Sequence, residues 1–203
     1  MARPKSDIEP RIVHAASVRF VELGVEGASL RRIAEDAGTS IGMIYYYFPT
    51  KDDLFLAVVE EVYAVLLSDL GVALLPNVRI EERLLRLYTR LGQVSARELS
   101  VLRLIAREAL GSSARFARLL ERFKRGHIPL ILATIQDGIA GGAIRKDLPL
   151  LATLVGTVAL GTLPQFVRAA ASQHFPPSSA GDIEQFPNAL VDMLLNGIAQ
   201  PTT

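Results

Sequence analysis

Apolar residues recur along this chain at intervals of three and four, the spacing of one face of an α-helix, and the run of such stripes predicts the elements in turn. Ile12, Ala15, Ala16 and Phe20 form the first, ending at Gly24; Ser6 or Asp7 can cap it, Glu9 suits the positive end of its dipole and Pro10 falls in its tolerant first turn. Residues 29–54 then read SLRRIAEDAGTSIGMIYYYFPTKDDL. Ser29 can cap a short helix whose buried side is Leu30, Ile33, Ala34 and Ala37, and Gly38 ends it. Ser40 can cap a second short helix presenting Ile41, Met43, Tyr45 and Tyr46, with Ile44 and Phe48 turned back toward the first. Two helices joined by a few residues around Gly38 make a helix-turn-helix, whose second member can enter a DNA major groove.

The pattern stays helical downstream. Thr50 with Asp53 resembles a capping box, opening a long helix with Leu54, Phe55, Val58, Val62, Val65 and Leu66 on its buried side and an end near residues 74–76. Further helices are expected over 80–96 (Leu84, Leu87, Tyr88, Leu91), 98–110 (Leu99, Leu102, Ile105, Ala106) and 114–139. Pro129 should kink the last of these, because it removes a backbone donor and clashes with the preceding turn. Residues 148–167 hold no charge and match a membrane span in length. Thr153, Thr157, Thr162, Pro164 and Gln165 dilute that reading, and a helix buried on several sides is expected instead. A final helix over 182–199 carries Ile183, Phe186, Leu190, Leu194 and Ile198. The last two helices offer more apolar surface than a protomer of 203 residues can cover, so a second protomer is expected there, on Leu154, Val158, Phe166, Leu190 and Leu194.

Composition narrows the chemistry. The chain has no cysteine, which excludes disulfides, thiolate catalysis and Cys-based zinc sites. Its first ten residues, MARPKSDIEP, lack the apolar stretch of a secretory signal, so a cytoplasmic location is expected. Net charge is only +1, and residues 1–50 balance six basic against six acidic side chains, so the reading head is not broadly basic. Residues 79–125 hold twelve Lys or Arg against five Glu, an excess that suits either a solvated surface stripe or an acidic ligand. The three histidines (His14, His127, His174) form no Glu-x-x-His pair, and no P-loop, GxSxG or dinucleotide fingerprint occurs. The chain is expected not to be an enzyme and to need no metal or cofactor.

With Ile12, Ala15-Ala16, Phe20, Gly24, Ser29-Leu30, Ile33-Ala34, Ala37-Gly38, Ser40, Gly42, Ile44-Tyr45, Phe48, Lys51 and Leu54 in place, residues 7–60 resemble the tetracycline-repressor family of bacterial transcription regulators. The resemblance implies an all-α protein: a three-helix DNA-binding domain with the helix-turn-helix at 1–50, and a helical ligand-binding and dimerisation domain at 51–203. It implies a homodimer on a palindromic double-stranded DNA operator and a small-molecule effector that releases it; no membrane partner is expected from the composition. Carried over by position, Ser29 and Arg31 touch the DNA backbone; Ser40, Ile41, Gly42, Met43, Tyr45 and Tyr46 sit in or beside the groove; Tyr47 and Lys51 hold phosphates. The family often places a basic or amide side chain where this chain has Ile41, and residues 40–47 contain no Lys, Arg, Asn or Gln. Bidentate readout of guanine or adenine is then absent from this helix, and a helical small-molecule-binding protein that has lost specific DNA binding is the second reading. The resemblance implies an effector pocket among the later helices, with the helix from Lys51 as the lever to the reading head; the candidates to line it, as apolar or singly polar residues on inward faces, are Tyr63, Tyr88, Phe116, Phe123 and His127.

Overall fold

A computed structural model describes residues 7–111, 114–171 and 180–197, the side chains of 171 and 180–184 excepted. Its regular elements are all helical: α1 (Ile8–Gly27), α2 (Leu30–Asp36), α3 (Ile41–Tyr47), α4 (Lys51–Ala73), α5 (Ile80–Gly92), α6 (Ala96–Leu110), α7 (Ala114–Lys124), α8 (His127–Ala140), α9 (Leu150–Ala171) and α10 (Ala180–Asn196). They group into two compact units, Met1–Val65 with Ala96–Glu121, and Leu66–Ser95 with Arg122–Thr203.

In the first unit, α1 packs on α2 and α6, and α2 packs on α3. The expected stripe is the core: Ile12, Ala16, Phe20, Ile33, Ile44, Leu54 and Phe55 are essentially inaccessible, with the Phe20 and Phe55 rings 6.4 Å apart. Fully burying a side chain of this size contributes about 1.5–3 kcal/mol, so this small cluster sets the stability of the unit. The α1 backbone leaves helical geometry at Gly24, where the stripe ends, and one more turn carries it to Gly27. Asp7 precedes α1 without a side-chain capping bond and pairs with Arg11 at 3.6 Å, while Ser6 lies outside the described residues.

The second unit is built around α5, which packs against α8, α9 and α10. Ile80, Leu84, Leu87, Tyr88 and Leu91 follow the i, i+4, i+7, i+8 pattern and are buried, and the Tyr88 hydroxyl donates to the Thr157 carbonyl of α9 at 3.2 Å.

Three expectations are corrected. Residues 114–139 are two helices rather than one kinked at Pro129. The break is at Arg125-Gly126, where i→i+3 bonds from Arg125 to Arg122 and from Gly126 to Phe123 tighten the end of α7. Pro129 is the third residue of α8, where its missing N–H has no intrahelical partner to lose. Second, Val65, assigned to the buried side of α4, is exposed. Third, α9 is not buried on several sides: Leu151, Val155, Leu163 and Val167 stand out from it, and its covered positions are Thr157, Gly161 and Gln165. Leu150–Ala170 is long and apolar enough to cross a membrane, yet only 17% of an 18-residue apolar window within it is buried in the chain. Of the residues expected on the final helix, the Ile183 side chain and Ile198 lie outside the described residues, as does His174.

Candidate nucleic-acid interface

Each helix of the motif starts on a serine. The Ser29 hydroxyl accepts from the Arg32 N–H at 3.5 Å and the Ser40 hydroxyl from the Met43 N–H at 3.3 Å, satisfying amides that α2 and α3 leave open at their first turns. Between them Gly38 adopts φ 61°, a left-handed geometry that a side chain would strain, and its carbonyl accepts from Arg11 at 3.1 Å. Ile44 and Phe48 are buried under α3, which leaves its other side to solvent.

That open side is the one expected from the spacing. Ser40, Ile41, Gly42, Tyr45 and Tyr46 are exposed, Tyr46 at 76%, and Met43 and Tyr47 are half-buried at its edges. Tyr46 and Tyr47 meet edge to face at 5.1 Å, and Tyr47 continues to Phe48 at 6.3 Å, so the outermost tyrosine rests on a chain of rings that ends in the core. Ser29 and Arg31 are exposed at the start of α2.

The balanced charge of this region is spent largely on holding it together. Arg19 of α1 donates to Asp36 of α2 at 2.6 Å and reaches Glu22 at 3.4 Å, and Arg32 pairs with Glu35 at 2.8 Å. The Arg19 hydrogen bond holds the Asp36 carboxyl below its usual range. Arg31 is left without a described ion pair, which makes it the cation at the start of α2 that is available to a phosphate.

The capping box at the start of α4 is reciprocal. The Asp53 N–H donates to the Thr50 hydroxyl at 3.1 Å, and the Thr50 N–H donates to Asp53 Oδ2 at 3.0 Å. Hydrogen bonds from Thr50, then from Arg118, hold the Asp53 carboxyl below the ordinary range. Lys51, at the first position of α4, donates from Nζ to the Glu26 carbonyl at 2.9 Å. An ammonium has three donors, so this bond orients the side chain and leaves it able to meet a phosphate.

The sequence reading missed the support of this site. Arg115 of α7 contacts Glu26 at 2.7 Å, Asp52 at 3.0 Å and Glu108 at 2.9 Å, and Arg118 contacts Asp53 at 2.7 Å. Burial opposes the charge of Arg115, but its hydrogen bonds to Asp52, Glu26 and Glu108 outweigh that, so its pKa stands above the ordinary value. The available signal was the arginine excess of 79–125, and most of it is paired internally: Arg79 with Glu81, Arg83 with Asp137, Arg86 with Glu82, Arg90 with Asp69 and Arg97 with Glu61.

The five residues expected around an effector are not gathered in one unit. Tyr63 and Phe116 belong to the first, the former buried; Tyr88, Phe123 and His127 belong to the second. Phe123 and His127 are ring neighbours at 4.9 Å, and burial, then the Arg122 charge, pushes the imidazole down to about 4. Two clefts of the second unit lie elsewhere: one of about 230 Å³ among Ile144, Leu148, Gly156 and Leu194, and one of about 630 Å³ beside Arg79, Arg83 and Asp137. Of the five residues expected between protomers, Leu190 is buried in its own chain's core, while Leu154, Val158, Phe166 and Leu194 are half-buried.

Residues 12–58 match the family model of bacterial regulatory proteins of the tetR family. The fatty acid metabolism regulator protein of Bacillus subtilis is 20% identical over 188 residues, 93% of this chain and 94% of its own. The HTH-type transcriptional repressor AcnR of Corynebacterium diphtheriae is 44% identical over 50 residues, 25% of this chain and 26% of its own. Among solved structures, the transcriptional regulator FadR of Bacillus subtilis in complex with stearoyl-CoA is 18% identical and superposes with a TM-score of 0.74, covering 94% of this chain and 99% of that one. Residues 12–58 therefore carry the helix-turn-helix of the tetR family of bacterial regulatory proteins, in a chain whose fold is shared over nearly its whole length with that solved regulator.

Proposed function

We propose that the protein is a cytoplasmic repressor that binds a palindromic operator as a homodimer and is released by a small molecule. The observation that carries the reading is the open face of α3, a serine-capped helix fixed to α2 by Ile44 and Phe48 with Ile41, Gly42, Tyr45 and Tyr46 turned outward. Ser29, Arg31, Tyr47 and Lys51 position it on the sugar-phosphate backbone. Ile41 and Met43 discriminate thymine methyls, the tyrosine hydroxyls reach base edges or phosphates, and DNA shape supplies the rest. Dimerisation through α9 and α10 is supported by the apolar side chains that α9 leaves uncovered. The reading head ends near residue 50 and the effector and dimer functions belong to 51–203, with α4 linking them as a lever.

The effector class to test is a long-chain acyl-CoA, on the likeness of the chain to fatty acid metabolism regulators, one of them solved with stearoyl-CoA. Binding of the purified protein to genomic fragments, including the one upstream of its own gene, decides the function. Arg31 and Lys51 from two protomers give four phosphate contacts, so log K should fall against log salt with a slope of at least about −3.6. Absence of sequence-selective binding at low salt would favour the second reading, a ligand-binding protein without an operator. Release of the bound fragment by stearoyl-CoA, and not by free CoA, is the expected effector result.

A further inference from the structure

The start of α4 is an awkward place for a phosphate contact. Lys51 is followed directly by Asp52 and Asp53, and its ammonium leans on the carbonyl of a third acidic residue, Glu26. Within a Debye length of about 8–10 Å these carboxylates repel any phosphate that Lys51 attracts.

All three are met from α7. Arg115 is the more enclosed of the two arginines, its side chain 14% exposed, and its planar fork spreads over Glu26 Oε1, Asp52 Oδ1 and Glu108 Oε2. Arg118, 45% exposed, takes Asp53 Oδ1, the oxygen that the capping box leaves over, since Thr50 bonds Oδ2. Glu26 is thereby held twice: its carbonyl by Lys51 and its carboxylate by Arg115. The same guanidinium joins the last turn of α1 to the first turn of α4.

We propose that Arg115 and Arg118 are positioning residues for DNA binding, neutralising the carboxylates around Lys51 and tying α1 to the start of α4 without touching the DNA. The proposal rests on the DNA-binding reading above. It also accounts for two charges among the arginines of 79–125 that looked like a ligand site or a solvated stripe. They are the counterions of Glu26, Asp52 and Asp53, supplied from 63 or more residues away along the chain.

The test compares the full-length protein with Arg118→Gln, Asp53→Asn, the double variant and Arg115→Gln, measuring affinity for the selected operator fragment by fluorescence anisotropy at 50 and 200 mM salt. Arg118→Gln uncovers one carboxylate and should weaken binding about three- to tenfold at the lower salt, less at the higher. Asp53→Asn keeps an oxygen for the Thr50 cap while removing the charge, so the double variant should return to within about twofold of the parent. Arg115→Gln uncovers more and should lose more than Arg118→Gln, with thermal melts setting a temperature at which every variant is folded. An unchanged affinity in Arg118→Gln or in folded Arg115→Gln overturns the proposal. So does a loss in Arg118→Gln that Asp53→Asn fails to restore, which is the signature of an arginine on the phosphate itself. If the parent protein binds no operator, the DNA-binding reading fails first and takes the proposal with it; a parent that binds while the variants match it sinks the proposal alone.

Discussion

Arg83 offers the sharpest stability test, because its surroundings let the cost of a buried charge be separated from the cost of lost volume. The residue is 4% exposed in α5. One terminal nitrogen donates to Asp137 Oδ2 at 2.7 Å, the other to the Thr134 hydroxyl at 2.8 Å, and Nε is buried with no acceptor among the described residues. The orphaned donor costs about 1–3 kcal/mol, and withdrawing the guanidinium from water adds several more, against a charged hydrogen bond worth about 1.5–3 kcal/mol. Removing the arginine strands neither partner. The Asp137 side chain is 55% exposed and can take water in its place, and the Thr134 hydroxyl already donates to the Leu130 carbonyl at 2.9 Å. Arg83→Met, which keeps the unbranched stem, is therefore expected to leave stability within about 1 kcal/mol of the parent or to raise it. Arg83→Ala should lose about 2–4 kcal/mol through the cavity left between α5 and α8. Urea unfolding followed by far-ultraviolet circular dichroism, with the slope against urea checked for constancy, gives both values. A loss in Arg83→Met as large as that in Arg83→Ala would refute the reasoning, since it would make the ion pair itself the source of cohesion.

Three further outcomes are expected. With the His127 imidazole held down at about 4, the unfolded chain takes up a proton first as pH falls, so stability is whole above about pH 6.5 and declines between there and pH 4, by on the order of 2 kcal/mol for a half-buried ring. His127→Gln should flatten that decline, and parallel pH profiles for the two proteins would remove His127 from the account. A Cβ at Gly161 would lie 2.5 Å from Leu91 Cδ1 and 3.1 Å from the Tyr88 ring. Overpacking costs about 1–3 kcal/mol and the helix gains up to about 1 from losing a glycine, so Gly161→Ala should lower the melting temperature by a few degrees, and a rise would show that α9 can slide on α5. Val155→Glu, on the uncovered side of α9, should convert dimers to monomers in sedimentation velocity, whereas an unchanged dimer would place the interface elsewhere.

The reading head was legible because its information is local. Ser29 and Ser40 cap within three residues, Gly38 turns the chain where it stands, and the spacing of Ile33, Ala34, Ile44 and Phe48 fixes which sides face each other. The Thr50 capping box is likewise a three-residue signal. The break between α7 and α8 was misplaced for a related reason: Pro129 is a louder signal than Gly126, but a proline in a first turn and a proline in mid-helix look the same in sequence. What settles the matter is the pair of i→i+3 bonds closing α7, which no residue type announces. The Arg115 cluster was out of reach altogether, because its partners at 26, 52 and 108 lie on three other helices and an arginine stripe looks the same whether it faces water or carboxylates.

The uncharged stretch of α9 shows where a pattern of this kind runs out and structure has to decide. A helix apolar on every side gives no sign of which side meets its own chain, and the expectation that the whole of it is buried follows only if hydrophobic residues take the inside first. Here Thr157, Gly161 and Gln165 take it. Each polar group among them is satisfied along the helix itself, Thr157 by the Thr153 carbonyl at 2.8 Å and Gln165 by the Gly161 carbonyl at 3.4 Å, so their burial leaves no stranded donor. The small residue between them lets the Tyr88 ring and Leu91 approach the α9 backbone, and the Tyr88 hydroxyl then reaches the Thr157 carbonyl. Close approach is what the inner side is built for, and it is bought with small and self-bonded residues. Leu151, Val155, Leu163 and Val167 are thereby turned outward in a single protomer, and leaving four such side chains in water forgoes about 1.5–3 kcal/mol for each one that a partner could bury fully. A second copy recovers that free energy, which is why the dimer is expected to form on α9 by hydrophobic burial and to be lost to a single charge at Val155.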